Sequence, residues 1–302
     1  MRPVKKTLFW LFCVVVLAIC GSACTSSSST TPSSSSKALH VVAAENFYGD
    51  IVKQLGGSRV SVVSMLSNPN GDPHEYESSI QNATAVAAAD LVIENGGGYD
   101  GWMDKLIAGS PKSSRVVLKA FDIAQVKLPD NVHVWYSIDN AQSMAQAITN
   151  TLKQLDAADA ATFENNFQVF KQSLQPVRQK MADMKTKYAG TPVGLTETIY
   201  LYQTGPLGLN VLTPLEFQKA MAEGNDPPAN TLVTTEDQVM KKQIKVLIVN
   251  QQTSSQITDK LQNDARAQHI PIVPVTETMP PNKTYQTWML DQLTTLEQAL
   301  GK

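Results

Sequence analysis

Between residues 156 and 188 the sequence carries one uninterrupted apolar stripe. Phe163, Phe167, Phe170, Leu174, Val177, Met181, Met184 and Tyr188 recur at alternating steps of four and three, with Lys, Gln, Glu and Asn between them. That period belongs to an α-helix with one buried face. Asp156 stands where an N-cap belongs. At ~1.5 Å per residue the helix would extend roughly 45 Å, longer than one small lobe. Pro176 lies inside the stripe, has no N–H for the carbonyl of Gln172, and predicts a bend. Such a helix is either a bundle or coiled-coil member or a spine laid across two lobes.

The flanking sequence selects the spine. On its N-terminal side, apolar strand patterns at 40–44, 60–66, 91–93 and 115–118 alternate with helical patterns at 46–55, 78–89, 101–107 and 139–152. On its C-terminal side, strands are predicted at 192–195, 209–212, 246–249 and 270–275. Helices are predicted at 235–243, opened by a Thr235-x-x-Gln238 capping box, and at 254–268 and 283–300. Alternation of this kind builds parallel sheets covered on both faces. The expected fold is α/β: two lobes, 39–154 and 190–302, each a parallel sheet flanked by helices, joined by one long spine helix over 155–189.

The chain of 302 residues has a net charge of −2 and no basic stripe, so nucleic acid is not an expected partner. Its three cysteines, Cys13, Cys20 and Cys24, all precede residue 25, which leaves the folded part without a disulfide framework or a thiolate metal site. Arg2, Lys5 and Lys6 followed by the apolar run 7–20 read as a signal peptide over 1–24. Gly21-Ser22-Ala23-Cys24 resembles a bacterial lipobox, with Cys24 as the lipidated residue; ordinary signal cleavage is the alternative. The Ser/Thr-rich run 25–38 reads as a flexible tether.

Four groups share one topological position. His74, in the loop Asn68-Pro69-Asn70-Gly71-Asp72-Pro73-His74, and His133, Glu197 and Glu277 are each expected in a loop just after a strand. Parallel sheets gather such loops at one edge, where ligands bind. Two neutral imidazoles and two carboxylates would bring a bound divalent cation close to neutrality, which burial demands. The glycine triplet Gly96-Gly97-Gly98 lacks the spacing of a phosphate loop and reads as a turn passing close to a site. His40 and His269 read as surface residues, and Tyr76 and Trp135 as packing around the ligands rather than binding.

The stretches HVVAAENFYGDIVKQLGGSRVSVVSMLSNPNGDPHEYE, ADLVIENGGGYDGWM and NVHVWYSIDNAQ resemble the metal-binding lipoproteins of bacterial zinc/manganese ABC importers. The resemblance extends from about Leu39 to the end. It implies metal ligation by His74 and His133, by Glu197 in Glu197-Thr198-Ile199-Tyr200-Leu201-Tyr202, and by Glu277 in Thr276-Glu277-Thr278. The family usually has Asp at the last position, so Glu277 departs from it by one methylene. The function implied is capture of Mn²⁺ or Zn²⁺ outside the cytoplasm by a monomer, held to the membrane through its N-terminal lipid, and delivery to an ABC permease and its ATPase. It is not an enzyme.

Nitrogen and oxygen donors without thiolate suit either ion. Two carboxylates able to bind through both oxygens tilt the set toward Mn²⁺. The alternatives are a metal-dependent hydrolase, for which no H-E-x-x-H or Ser-His-Asp pattern stands in the chain, and a siderophore or cobalamin receptor of the same fold.

Overall fold

The computed structural model describes residues 37–68 and 76–302. His74, Cys24, the signal peptide and all but the last two tether residues lie outside them. Residues 37–302 form one compact unit. Its first sheet contains β1 (Leu39–Glu45), β2 (Val60–Leu66), β3 (Leu91–Glu94) and β4 (Val116–Lys119), all parallel, in the order β2-β1-β3-β4. Helices α1 (Asn46–Gly56), α2 (Ile80–Ala88), α3 (Gly101–Gly109), α4 (Ala120–Ile123) and α5 (Ile138–Leu155) accompany it. The second sheet repeats the arrangement, with β5 (Pro192–Leu195), β6 (Asn210–Val211), β7 (Val246–Asn250) and β8 (Ile272–Val275) in the parallel order β6-β5-β7-β8. Around it lie α8 (Leu201–Leu207), α9 (Leu215–Ala222), α10 (Ala229–Met240), α11 (Gln256–Ala267) and α12 (Tyr285–Leu300).

Alternation along the central strands explains why both faces of each sheet are covered, because successive side chains point to opposite faces. From β1, Val41 and Ala43 enter a core common to both sheets, while Val42 and Ala44 join a separate cluster with Met65, Val86, Val92 and Met103. In β7, Val246 and Ile248 enter the common core, whereas Leu247 and Val249 pack with Phe217, Val239 and Leu261. Each sheet therefore keeps one private cluster and contributes its other face to the common core.

The apolar stripe faces that core, but it is carried by two helices set end to end: α6 (Ala160–Ser173) and α7 (Gln175–Tyr188). The break falls at Leu174, just before Pro176 in the first turn of α7. The missing N–H of the proline frees the carbonyl of Gln172, and the N–H of Leu174 turns to it instead. α6 packs on α1 and α5, and α7 on α8 and α12, so the pair runs from one sheet's helices to the other's.

Asp156 does not open this spine. It ends α5, and its carboxylate accepts from the Arg59 guanidinium at 3.0 Å. Asp159, the N-cap of α6, pairs with the same Arg59, and neither aspartate caps a helix with its side chain. The expected Thr235 capping box is also absent. α10 starts six residues earlier, directly after Pro228, which stands at its N-cap with φ −54° and ψ 134°. Thr235 sits mid-helix, donating to the Thr231 carbonyl at 2.8 Å, while Gln238 reaches the Leu212 carbonyl at 2.7 Å.

At its C-terminal edge the first sheet buries three carboxyl groups: Glu45, Glu94 and Asp100. Asp100 accepts from the N–H groups of Asn95 at 2.6 Å and Gly96 at 2.8 Å. Burial, reinforced by the negative charge of Asp100, pushes Glu45 well above the carboxylate range. Burial also raises Glu94 from 4.5 to about 7, although Lys119 lies 2.6 Å away.

Two outcomes follow from this packing. Phe170, 1% exposed in the common core, should cost about 3–5 kcal/mol when truncated to Ala, seen as a lower urea midpoint at unchanged slope. Because Glu94 and Glu45 hold protons more tightly folded than unfolded, stability should be gained as pH falls from about 7 toward 4.5 and lost on raising it through 7. In EDTA, melting should come at a higher temperature near pH 5.5 than near pH 7.5, and Glu94→Gln should flatten that slope. A melting temperature that rises with pH over this interval contradicts the assignment.

Candidate metal centre

Glu197 lies two residues beyond β5. Its neighbour Thr196 ties the segment to β7, donating its N–H to the Ile248 carbonyl at 3.0 Å and accepting the Asn250 N–H on its hydroxyl at 3.2 Å. Glu277 lies two residues beyond β8. Gln252, in the loop after β7, accepts the N–H groups of Glu277 and Thr278 on one side-chain oxygen, at 2.7 and 2.9 Å, and donates to the Thr278 hydroxyl at 2.9 Å. Asn46 then fixes Met279 through a reciprocal pair of bonds, 2.7 and 3.0 Å, between its side-chain amide and the Met279 backbone. This ties the Glu277 segment to the start of α1 beside the first sheet.

His133 differs from the sequence expectation in one respect. It does not directly follow a strand: α4 and the stretch 124–132 intervene, and it caps the 3-10 turn Val134–Tyr136. Asn131 orients it. The Asn131 side-chain NH₂ donates to the Thr198 carbonyl at 2.8 Å, which identifies its other terminal atom as the oxygen. That oxygen accepts the His133 backbone N–H at 3.1 Å and lies 2.9 Å from Nδ1. A carboxamide oxygen can only accept, so Nδ1 carries a proton and Nε2 is the ring nitrogen left to act as a ligand atom.

His133 Nε2 belongs to a buried cluster. His133, Glu197 and Glu277 are 2%, 2% and 0% exposed. One ligand atom from each lies within 4.8 Å of the others, and His133 Nε2 is 4.0 Å from Glu277 Oε2, too far for a hydrogen bond. A cation about 2.1 Å from two ligands holds them at most about 4.2 Å apart, so the cluster is close to coordinating size. The Glu277 carboxylate is held on both oxygens: Asn250 Nδ2 donates to Oε1 at 2.7 Å and the Tyr99 hydroxyl to Oε2 at 2.8 Å. Burial, with the charge of Glu277, pushes the Tyr99 phenol well above its usual range, so it stays protonated and donates.

Around the imidazole, Trp135 packs edge-on with ring centroids 5.2 Å apart and itself stacks on Phe47 at 4.8 Å. Tyr76 packs on Trp102 at 4.4 Å. The glycine triplet forms a turn in which Gly96, Gly97 and Gly98 take φ of 71°, 66° and 96°; a Cβ on Gly97 would come within 2.8 Å of the Phe121 ring. That turn delivers Tyr99. His40 is half-buried at the start of β1, and His269 is exposed after α11; neither is in the His133–Glu197–Glu277 cluster.

Sequence reasoning did not single out Asn131, Asn250, Gln252, Asn46 or Tyr99. Available signals were an Asn two residues before a loop histidine and an Asn closing an otherwise apolar strand. His74 lies outside the described residues, so its place relative to the other three rests on the sequence.

Residues 41–299 match the family described as ZnuA, zinc-uptake complex component A, periplasmic. Among curated relatives, the metal ABC transporter substrate-binding lipoprotein ScbA of Streptococcus cristatus is 27% identical over 193 residues, and the manganese ABC transporter substrate-binding lipoprotein scaA of Streptococcus gordonii 30% over 193 residues. Each alignment covers 59% of this chain and 61% of the relative, so the match spans about three-fifths of those proteins. The fold is that of the periplasmic zinc binding protein TroA from Treponema pallidum, with a TM-score of 0.72 at 18% identity, covering 87% of this chain and 99% of that one. It is also that of FpvC from Pseudomonas aeruginosa, solved in complex with Mn²⁺, with a TM-score of 0.71 at 22% identity over 88% of this chain and 99% of that one. With the family match running through both sheets and all three clustered residues, the chain belongs to the zinc-uptake complex component A family.

Proposed function

We propose that this protein is the extracytoplasmic solute-binding component of an ABC importer for a divalent transition metal, Mn²⁺ or Zn²⁺. His133 through Nε2, Glu197 and Glu277 are the ligands, with His74 as the fourth. The lobes 39–154 and 190–302 close on the ion, which then passes to the membrane permease driven by its ATPase. The protein acts as a monomer held to the outer face of the membrane by lipid on Cys24. Among the described residues, no helix is long and apolar enough to cross a membrane.

The observation that carries this reading is the convergence of two glutamate carboxyl groups and an imidazole, each at most 2% exposed, within 4.8 Å of one another. Two negative charges confined in so small a volume repel, and a dication converts that repulsion into attraction. The relatives named as manganese and metal ABC transporter lipoproteins support the same cargo. A cavity of about 360 Å³, lined by Gly98, Tyr99, Val132, His133, Thr198 and Lys219, leads from the surface to His133 and gives a hydrated ion a route in. A spacing of 4.8 Å fits a single ion rather than a siderophore or cobalamin.

Titration of EDTA-treated protein with Mn²⁺ and with Zn²⁺, followed by competition between them, tests the reading. One ion should bind per chain, and His133→Ala should weaken binding at least about 100-fold, in line with loss of a direct ligand. Affinity should fall as pH drops below about 6.5, because protonated imidazole cannot coordinate. Affinity that stays constant between about pH 8 and pH 5 would remove His133 from the ligand set.

A further inference from the structure

Glu277 is gripped from two directions that differ in kind. Asn250, which holds Oε1, closes β7 in the same sheet as Glu277's own strand. Tyr99, which holds Oε2, comes from the other sheet, across 178 positions of sequence. Oε2 is also the carboxylate oxygen nearer to His133 Nε2. The oxygen best placed to meet a cation is therefore the one oriented from the opposite lobe.

The phenol has little freedom to sit elsewhere. Tyr99 is 7% exposed, and its ring packs against Trp135 at 4.9 Å and lies 6.0 Å from the His133 ring. The turn beneath it is fixed by the two backbone bonds that Asp100 accepts from Asn95 and Gly96. Asn95 in turn accepts the Tyr48 hydroxyl at 2.8 Å and donates to the Val132 carbonyl at 2.9 Å, next to His133. Tyr99 and His133 thus ride on one connected scaffold. Glutamate has one more torsion than aspartate, and a second anchor helps hold its carboxylate in one orientation.

Resting on the metal-binding function proposed above, we propose that Tyr99 is a positioning residue that couples lobe closure to cation retention. Its hydroxyl orients Glu277 Oε2 toward the ion only while the two lobes are together. Asn250 holds Oε1 whether they are together or apart. Separation of the lobes removes the Tyr99 bond, restores rotational freedom to Glu277 and speeds release. The residue acts through Glu277 and does not itself bind the ion.

Tyr99→Phe removes only the hydroxyl. Equilibrium titration and stopped-flow release of Mn²⁺ and Zn²⁺ should show affinity reduced about 10- to 100-fold, the usual effect of removing a partner that orients a ligand. The loss should appear mainly as faster dissociation, with the association rate and the melting temperature in EDTA unchanged. The electron paramagnetic resonance spectrum of bound Mn²⁺ should also change, because the ligand geometry does. In a Glu277→Ala background, the same Tyr99→Phe change should cost less than about threefold, since the group it acts on is gone.

Affinity and release within about twofold of the parent overturn the proposal. So does an equal loss in both backgrounds, which would mean that Tyr99 acts on the fold rather than on Glu277. A parent protein that binds neither ion overturns the metal-binding function, and this inference with it. A parent that binds while Tyr99→Phe binds equally overturns this inference alone.

Discussion

Two carboxylates that share a volume from which water is excluded are the constraint behind the rest of this structure. Removing a carboxylate from water is costly, and bringing a second one close raises the cost again. Glu277 is kept there by hydrogen bonds from neutral groups. Asn250 and Tyr99 donate to the Glu277 side chain, and Gln252 accepts the backbone N–H groups that fix its segment. Neutral donors fix position without cancelling charge. A lysine or arginine in their place would neutralise the site permanently, whereas amides and a phenol leave the charge available to an incoming cation. The same logic governs His133: an Asn131 carboxamide rather than a carboxylate sets its tautomer, so the imidazole is oriented with no further negative charge at the centre.

The fold supplies what this chemistry needs. Parallel sheets place successive loops at one edge, and Glu197 and Glu277 each stand two residues past a strand of the second sheet. Because β5 and β8 flank β7, the two carboxylates approach from either side of the strand that ends in Asn250. The first sheet contributes His133 and Tyr99 on the scaffold of Asn95 and Asp100. It gathers its own acids, Glu45, Glu94 and Asp100, at the same edge. Burial drives Glu45 and Glu94 toward the neutral form, which weakens them as a second anionic site.

Much of this arrangement was legible in the sequence where a single physical signal dominated. Short continuous apolar runs located the strands, and the stripe from Phe163 to Tyr188 located the spine, because buried faces leave a regular imprint. Glu197 and Glu277 were readable from their place after strands. The readings failed where long-range partners overrode a local preference. Asp156 has the chemistry of an N-cap, yet Arg59, about a hundred positions away, claims its carboxylate. Thr235 and Gln238 have the spacing of a capping box, but Pro228 starts the helix earlier and Leu212 offers Gln238 a buried acceptor. Asn46 and Tyr99 left no local imprint, since each acts on a partner in a distant segment. The identity of that partner is a property of the closed fold, not of spacing.

The positions of the ligands relative to one another depend finally on an apolar seam. Phe47 stacks between Trp135 and Trp288, with centroids 4.8 and 5.8 Å away, and Tyr136 meets Trp288 edge-on at 5.7 Å. Phe47, Trp135 and Tyr136 belong to the first lobe; Trp288 and Tyr285 come from the last helix. The Tyr285 hydroxyl donates to the Trp135 carbonyl at 2.7 Å, and that of Tyr136 to the Thr276 carbonyl at 2.6 Å. His133 precedes Val134 and Trp135, and Glu277 follows Thr276, so these bonds act on the backbone on either side of the centre. Large aromatic side chains each bury about 150–250 Å², and parting them in water would cost several kcal/mol. The seam therefore resists a wide hinge and confines relative movement of the lobes to small displacements. At a site whose atoms already lie within 4.8 Å, a displacement of that size is enough to make or break coordination. A close-packed aromatic interface and the tight grouping of His133, Glu197 and Glu277 are, in this protein, two consequences of the same packing.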